Sequence, residues 1–278
     1  MGLSVVLSSF GVLLQRVLVK ESNSRPIAFA IFFPILTGLL ITLVGFLTTH
    51  MVFPNLRPLI GNIFLMALLY GSANIFIFKS LKEIEASRFT IIFATRGLFT
   101  ILASSLLLKE LLSFQQLIGA ILIFSSVVLV SLKAEKKLSF GKSEAFALFA
   151  AMGYGFSNTN DRYLLSSFDA YPYMTVSFLA PSILTAIVYM NEIKHVTMFF
   201  QPSTLKKILL LCIVYAGAAI TFFLALKVTP SSSQVAALNL TSVVLTVVLS
   251  IVVLKERSNT TQKIVGALIC FIGLLLVS

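Results

Sequence analysis

The sequence predicts an all-α membrane protein whose ten transmembrane helices form two inverted five-helix repeats. Three observations support this fold class: an apolar composition, ten apolar runs of membrane-spanning length, and a duplication of the chain. Of the 278 residues, 58% are hydrophobic and only 11% are charged, whereas soluble domains contain roughly 45 to 50% apolar residues. The composition therefore indicates an integral, multi-pass membrane protein.

The duplication is clearest at the ends of the two halves. The segment FTILASSLLLKELLSFQQLIGAILIFSSVVLVS aligns with VVLTVVLSIVVLKERSNTTQKIVGALICFIGLLLVS, so Lys109 and Glu110 match Lys255 and Glu256. We therefore divide the chain into a first repeat (residues 1–132), a basic linker (133–143) and a second repeat (144–278). The same offset of about 146 residues relates Phe10 to Phe156, Arg16 to Arg162, Pro26 to Pro172 and Pro34 to Pro181.

Ten apolar runs are long enough to cross about 30 Å of hydrocarbon. They lie near residues 1–19, 26–49, 58–79, 87–108, 114–132, 144–165, 170–191, 206–227, 231–254 and 263–278. Because each repeat has an odd number of spans, the second repeat crosses the membrane in the opposite sense to the first. This inverted arrangement is typical of secondary transporters.

Basic residues are unevenly distributed between the two sides of the predicted membrane. By the positive-inside rule, the basic-rich side, which includes the linker, faces the cytoplasm and both termini lie outside it. Residues 1–20 are predicted to be a retained helix and not a signal peptide, because their positive charges follow the apolar run. The connections after odd-numbered spans hold Arg16, Lys20, Arg25, Lys79, Lys82, Arg88, Lys133, Lys136, Lys137, Lys142, Lys194, Lys206, Lys207, Lys255, Arg257 and Lys263; the opposite side holds Arg57, Lys109, Arg162 and Lys227.

The chain resembles the EamA-type branch of the drug/metabolite transporter superfamily over essentially all of its residues. The resemblance rests on the two five-helix repeats, on LLLKE and VVLKE at the end of the fourth helix of each repeat, and on the helices that follow, QLIGAILIFSSVVLVS and KIVGALICFIGLLLVS. It implies a transporter built from ten short helices. Members of that family are generally drawn with both termini in the cytoplasm, which is opposite to the orientation that the charges favour.

Arg96 lies near the middle of the fourth span, where an ionised side chain costs several kcal/mol unless it faces protein or water. It is interpreted either as a binding residue or as half of a structural ion pair. Thr100 and Ser104 continue its helix face. The ninth span repeats this polar stripe with Ser242, Thr246 and Ser250. The two stripes either line a central cavity or allow close helix packing.

The sixth span carries a second polar face, because Tyr154, Asn158 and Asp161 are spaced to lie on one side of a helix. Asp161 is the only acid well inside a predicted span. It is interpreted as the counter-charge of Arg96, as a proton acceptor, or as the partner of the adjacent Arg162. The other candidates for substrate binding are Tyr70 and Asn74 on the third span, Tyr215 on the eighth, Asn239 and Thr241 on the ninth and, more weakly, Gln15 on the first.

Pro34 and Pro181 interrupt the second and seventh spans at matching positions, where each either forms a hinge or simply kinks its helix. No pattern favours catalysis, a cofactor or a metal site. The two histidines lie in loops without a cluster of metal-ligating residues around them, and the two cysteines, Cys212 and Cys270, lie in apolar segments and are predicted to pack in the core.

These features predict a secondary transporter, an exporter or exchanger of small polar metabolites that works by alternating access. Arg96, together with the absence of glutamate from the first helix, favours substrates with an anionic group, amino acids foremost. The alternative is a non-transporting membrane scaffold or an accessory protein of lipid modification. The expected partners are the lipid bilayer and a small-molecule substrate, without nucleic acid; the expected location is a prokaryotic plasma membrane, as a monomer or homodimer.

Overall fold

The computed structural model describes residues 1–20, 25–108, 113–132, 140–228 and 232–277. Its regular structure in these ranges is helical, without a β-strand. The first-repeat helices are α1 (Gly2–Lys20), α2 (Pro26–Thr48), α3 (Ile60–Glu83), α4 (Ala86–Phe93), α5 (Arg96–Leu108) and α6 (Phe114–Ser131). The second-repeat helices are α7 (Lys142–Leu165), α8 (Ala170–Val188), α9 (Met190–Ile193), α10 (Pro202–Val228), α11 (Ser232–Val253) and α12 (Thr260–Val277). Short 3₁₀ segments cover Arg57–Leu59 and Lys194–Phe200.

Every apolar run predicted from the sequence is helical over most of its described residues, but two of the runs are interrupted. The seventh is interrupted at Tyr189, between α8 and α9. The predicted fourth span is broken at Ala94 and Thr95 into α4 and α5. At the break the backbone makes tighter, 3₁₀-type hydrogen bonds, from the amide of Thr95 to the carbonyl of Ile92 and from Gly97 to Ala94, both 3.1 Å. The Thr95 hydroxyl donates to the same Ile92 carbonyl at 2.7 Å. These bonds satisfy backbone groups that a helix break would otherwise leave unpaired.

Eight helical segments in the described part of the chain are long and apolar enough to cross a membrane. α7 falls outside this group because polar side chains lower its hydropathy, and the segment Leu238–Val253 of α11 is a further, shorter apolar helix. Large apolar side chains cover the outer surface: Leu47, Leu106 and Phe114 are 76%, 72% and 79% exposed. Such a surface needs lipid around it, so the protein is an integral, multi-pass membrane protein.

The helices pack in a pattern that follows the duplication. α2 packs on α8 and α6 on α12, so each of these helices contacts its own counterpart in the other repeat. The contact of α3 with α7 is matched by that of α10 with α1, and the contact of α5 with α7 by that of α11 with α1. A contact set of this kind has the self-complementary pattern of a two-fold axis between the repeats.

A phenylalanine-rich cluster fills the interior between α2 and α3. The rings of Phe29 and Phe78 are 4.8 Å apart in an edge-to-face arrangement, and Phe33 lies 5.6 Å from Phe29. Pairs of this geometry stabilise beyond the area that they bury. They hold α2 and α3 together beside the polar residues described next.

Both prolines singled out from the sequence are buried inside helices that continue past them. The Pro181 carbonyl accepts a 2.8 Å hydrogen bond from the Thr185 hydroxyl. A Cβ on Gly71 of α3 would lie only 3.1 Å from that carbonyl oxygen. α3 therefore crosses α8 at Pro181. The hinge function of Pro34 and Pro181 stays a prediction.

Candidate functional site

Three helices, α3, α5 and α7, come close together at two glycines of α7. A Cβ on Gly155 would lie 2.4 Å from the Cβ of Phe99 and 2.7 Å from the carbonyl oxygen of Arg96. A Cβ on Gly153 would lie 3.1 Å from the Cβ of Ala73. The absence of side chains at these positions lets α7 approach α5 on one side and α3 on the other. Both glycines are therefore helix-packing residues.

The polar faces of α3 and α7 meet beside this crossing. The Tyr70 hydroxyl contacts both the Asp161 carboxylate and the side-chain oxygen of Asn158, the latter at 3.2 Å. The Tyr154 hydroxyl donates to the side-chain oxygen of Asn74 at 3.1 Å. The rings of Tyr70 and Tyr154 lie edge to face with their centres 4.6 Å apart. All five residues were singled out from the sequence, and the structure joins them in one network.

Asp161 is buried and is held by hydroxyl groups. Besides Tyr70, it is hydrogen-bonded to Ser157 at 3.4 Å and to Tyr173 of α8. Neither Arg96 nor Arg162 forms an ion pair with it in the described ranges. The two ion-pair interpretations of Asp161 therefore do not hold in this structure, because α7 turns Asp161 toward α3 and α8.

Arg96 is the first residue of α5 and is only partly buried. Its guanidinium carbon lies 4.7 Å from the centre of the Phe93 ring, a favourable cation–π geometry. Among the residues that the structure describes, no acidic side chain pairs with it. The side chain is within electrostatic range of Tyr154, Tyr215 and Tyr70, so three tyrosines lie near the charge.

Thr100 and Tyr215 border the same region. The Thr100 hydroxyl donates to the Arg96 carbonyl at 2.9 Å and accepts from the Asn158 side chain at 3.4 Å. Tyr215 of α10 is hydrogen-bonded to Gln15 of α1. Thr100 of the first repeat and Tyr215 of the second thus lie near Arg96, and the weak candidate Gln15 contacts Tyr215.

The two candidates on the predicted ninth span, Asn239 and Thr241 of α11, are not hydrogen-bonded to this network in the described residues. The Thr241 hydroxyl donates to the carbonyl of Leu238 in its own helix at 2.6 Å. The binding role of Asn239 and Thr241 stays a prediction. Ser250 likewise bonds to the Val247 carbonyl of its own helix. Thr241 and Ser250 of α11 therefore bond within their own helix and not to the region around Arg96.

Three contact residues were not singled out from the sequence. Phe93 lies three residues before Arg96, so helical spacing alone could have indicated that their side chains are neighbours. Ser157 lies four residues before Asp161, so helical spacing could have indicated this contact as well. No sequence pattern could have indicated Tyr173, because its contact with Asp161 depends on how α8 packs against α7.

Comparison with known proteins bears on what this arrangement of helices does. The EamA-like transporter family matches residues 1–132 and 141–278, which is nearly the whole chain in two halves. The chain belongs to the EamA-like transporter family. Its membership confirms the resemblance seen in the repeated motifs and makes the protein a membrane transporter of the drug/metabolite type.

Other comparisons add the fold but no substrate for this EamA-like transporter. No curated protein matches the chain. One solved structure, described only as "Crystal structure of protein", has a TM-score of 0.60 at 17% sequence identity. The match covers 99% of this chain and 95% of that one. At this identity the likeness shows a shared fold and nothing about the transported compound.

Proposed function

We propose that the protein is a secondary transporter, an exporter or exchanger, of small polar metabolites that carry a carboxylate, amino acids foremost. The observation that carries this proposal is Arg96, a cation at the start of α5 that pairs with no acid in the described part of the chain. A charge inside a membrane protein without a fixed partner is a functional-site hypothesis by default.

The broken fourth span adds to the attraction for an anion. The N-terminus of a helix carries a partial positive charge, and α5 begins at Arg96. Transporters often place the ends of discontinuous helices beside their substrates for this reason. The planar guanidinium group also matches a carboxylate in two places. Charge, dipole and geometry therefore favour the same substrate group.

Asp161 provides the opposite charge at the other side of the same network. Tyr154 is within electrostatic range of both Arg96 and Asp161, so the two charges are near the same tyrosine. Tyr70, Asn74 and Asn158 add hydroxyl and amide groups around it. An amino acid, with one carboxylate and one ammonium group, has the charge pattern that suits this arrangement.

The transport mechanism is alternating access between the repeats. We count α4 and α5 as one crossing, which together with α7 and α11 makes ten spans, five in each repeat. The two-fold pattern of helix contacts supports an inverted pair. We place the protein in the plasma membrane of a prokaryote, with the linker at 133–143 in the cytoplasm.

Reconstitution into liposomes tests this function. Liposomes that contain the purified protein are tested with a panel of labelled amino acids, organic acids and nucleobases, and counterflow of each compound is measured. We expect exchange of at least one carboxylate-containing compound, and competition by related compounds. Arg57→Ala is the matched control for Arg96→Ala, because Arg57 is an exposed arginine outside the network. Exchange of nucleobases only would contradict the proposed substrate class, and exchange of no compound in the panel would favour the scaffold.

A further inference from the structure

The four ion pairs in the described residues all join one repeat to the other. They lie at the helix ends that meet the basic-rich connections, on the side of the linker. These pairs join the two repeats at this end of the bundle. The pairs are Arg16–Glu256 at 3.9 Å, Arg25–Glu192 at 3.4 Å, Arg88–Glu144 at 3.0 Å and Glu85–Lys263 at 2.6 Å.

Glu256 makes the most extensive of these contacts. Its carboxylate accepts hydrogen bonds from the backbone amides of Ala86 at 2.9 Å and Ser87 at 3.1 Å, and from the Ser87 hydroxyl at 2.8 Å. Ala86 and Ser87 begin α4, and the N-cap residue Glu85 makes no capping bond of its own. The first amides of a helix need an external acceptor. For α4, a residue of the second repeat supplies it.

The segment that carries Glu256 is itself fixed against α4. Lys255 has a left-handed backbone, with φ of 55°, which turns the chain out of α11. The Lys263 ammonium donates to the Glu256 carbonyl at 2.9 Å, and the Ser258 hydroxyl donates to the Glu85 carboxylate at 2.9 Å. The VVLKE motif of the second repeat is therefore a contact between repeats as well as a helix end.

The short helix α4 connects this contact to Arg96. α4 has eight residues and is about 12 Å long at 1.5 Å per residue. Glu256 binds the first turn of α4. The last residue of α4 is Phe93, and the guanidinium group of Arg96 stacks on its ring. A displacement of the first turn of α4 would move Phe93 as well, because a helix of this length moves as a rigid body.

We propose that Glu256 is a positioning residue for transport: its bond to the first turn of α4 closes the linker side of the bundle and positions Phe93 and Arg96. Opening toward that side requires the Glu256 carboxylate to leave α4. An open depression of about 540 Å³ lies directly at this contact, lined by residues that include Arg16, Lys20 and Lys255, so water reaches it from that side. The link to transport rests on the function proposed above.

Thiol accessibility tests the closure without a transport assay. Cys212 and Cys270 are first replaced by Ala, and a single reporter cysteine is introduced as Asn74→Cys in the network. An impermeant thiol reagent is then added to each side of sealed vesicles in turn. Lys142→Cys, at an exposed position, identifies the linker side. We expect Glu256→Ala to increase the labelling rate of the reporter from the linker side about fivefold, the size of a lost helix cap.

Glu192→Ala is the matched control, because Glu192 belongs to the partly exposed Arg25 ion pair. We expect it to change the labelling rate by less than about twofold, since exposed pairs contribute little. A folded Glu256→Ala protein, monodisperse in detergent, that labels at the unmodified rate would overturn the proposal. Glu256→Gln, which keeps one acceptor oxygen, should give an intermediate rate.

A second variant separates closure from simple capping of α4. Glu85→Asp combined with Glu256→Ala supplies a short acidic N-cap from the first repeat, without a link to Glu256. If Glu256 joins the repeats, the reporter stays as accessible as in Glu256→Ala alone. A return to the unmodified rate would reduce Glu256 to a helix cap. Both results are read from labelling, so they stand apart from the success or failure of the liposome assay.

Discussion

The guanidinium group of Arg96 lies 4.7 Å from the centre of the Phe93 ring, across the break that separates α4 from α5. Stacking on an aromatic ring stabilises a cation without neutralising it. A salt bridge would instead offset the charge and reduce the attraction for a substrate carboxylate. The Phe93 contact thus lets the membrane interior keep a positive charge that is still available to bind a ligand.

Replacing Arg96 should affect transport far more than folding. We expect Arg96→Ala to reduce exchange of the cognate substrate at least tenfold, while membrane insertion and yield are unchanged. Arg96→Lys should retain a small fraction of activity, because lysine keeps the charge but loses the planar fork. Initial rates in liposomes give the measurement. If Arg96→Ala transports at the rate of the Arg57→Ala control, Arg96 does not bind substrate.

Removing the Tyr70 hydroxyl should destabilise the protein. Tyr70→Phe leaves the buried Asp161 carboxylate without one of its donors, at a cost of about 1–3 kcal/mol. Thermal unfolding in detergent should show a lower Tm. Tyr163→Phe is the matched control, because Tyr163 is 54% exposed; its Tm should be unchanged. Equal Tm values for the two variants would mean that the Tyr70 contact contributes no stability.

A methyl group at the helix crossing should be costly. Gly155→Ala would place a Cβ 2.4 Å from the Cβ of Phe99, which forces α5 and α7 apart at about 1–3 kcal/mol. We expect a lower Tm and lower yield of monodisperse protein. Gly61→Ala adds the same methyl group in α3 where nothing lies within 4 Å, and it should have little effect. A Gly155→Ala protein as stable as Gly61→Ala would show that the crossing adapts.

Orientation can be decided by labelling in intact cells. The charge distribution predicts that Lys142→Cys, at the end of the linker, is protected from an impermeant thiol reagent. Asn55→Cys, in the connection between α2 and α3, should react. Both substitutions are made after removal of the two native cysteines, which are buried. The reverse labelling pattern would place both termini in the cytoplasm, as the family is usually drawn.

The sequence by itself determined the membrane class, the duplication, the positions of the helices and most of the network residues. Composition and apolar run length are local properties, so they predict membrane helices directly. Helical spacing likewise placed Tyr154, Asn158 and Asp161 on one face before any partner was known. The VVLKE motif, which matches LLLKE of the first repeat, helped to identify the second repeat, but the sequence did not indicate what Glu256 contacts.

Only the tertiary structure decided which faces meet. It joined Asp161 to Tyr70 and Tyr173 and left Arg96 with Phe93, and it brought Glu256 to the first turn of α4 from about 170 residues away in the chain. The break between α4 and α5 contains no proline, so no local signal predicted it. In a membrane, every helix satisfies the backbone bonds of its interior wherever it lies. Which helices pack against one another therefore depends on side chains from distant segments, and the periodicity within one segment cannot show this.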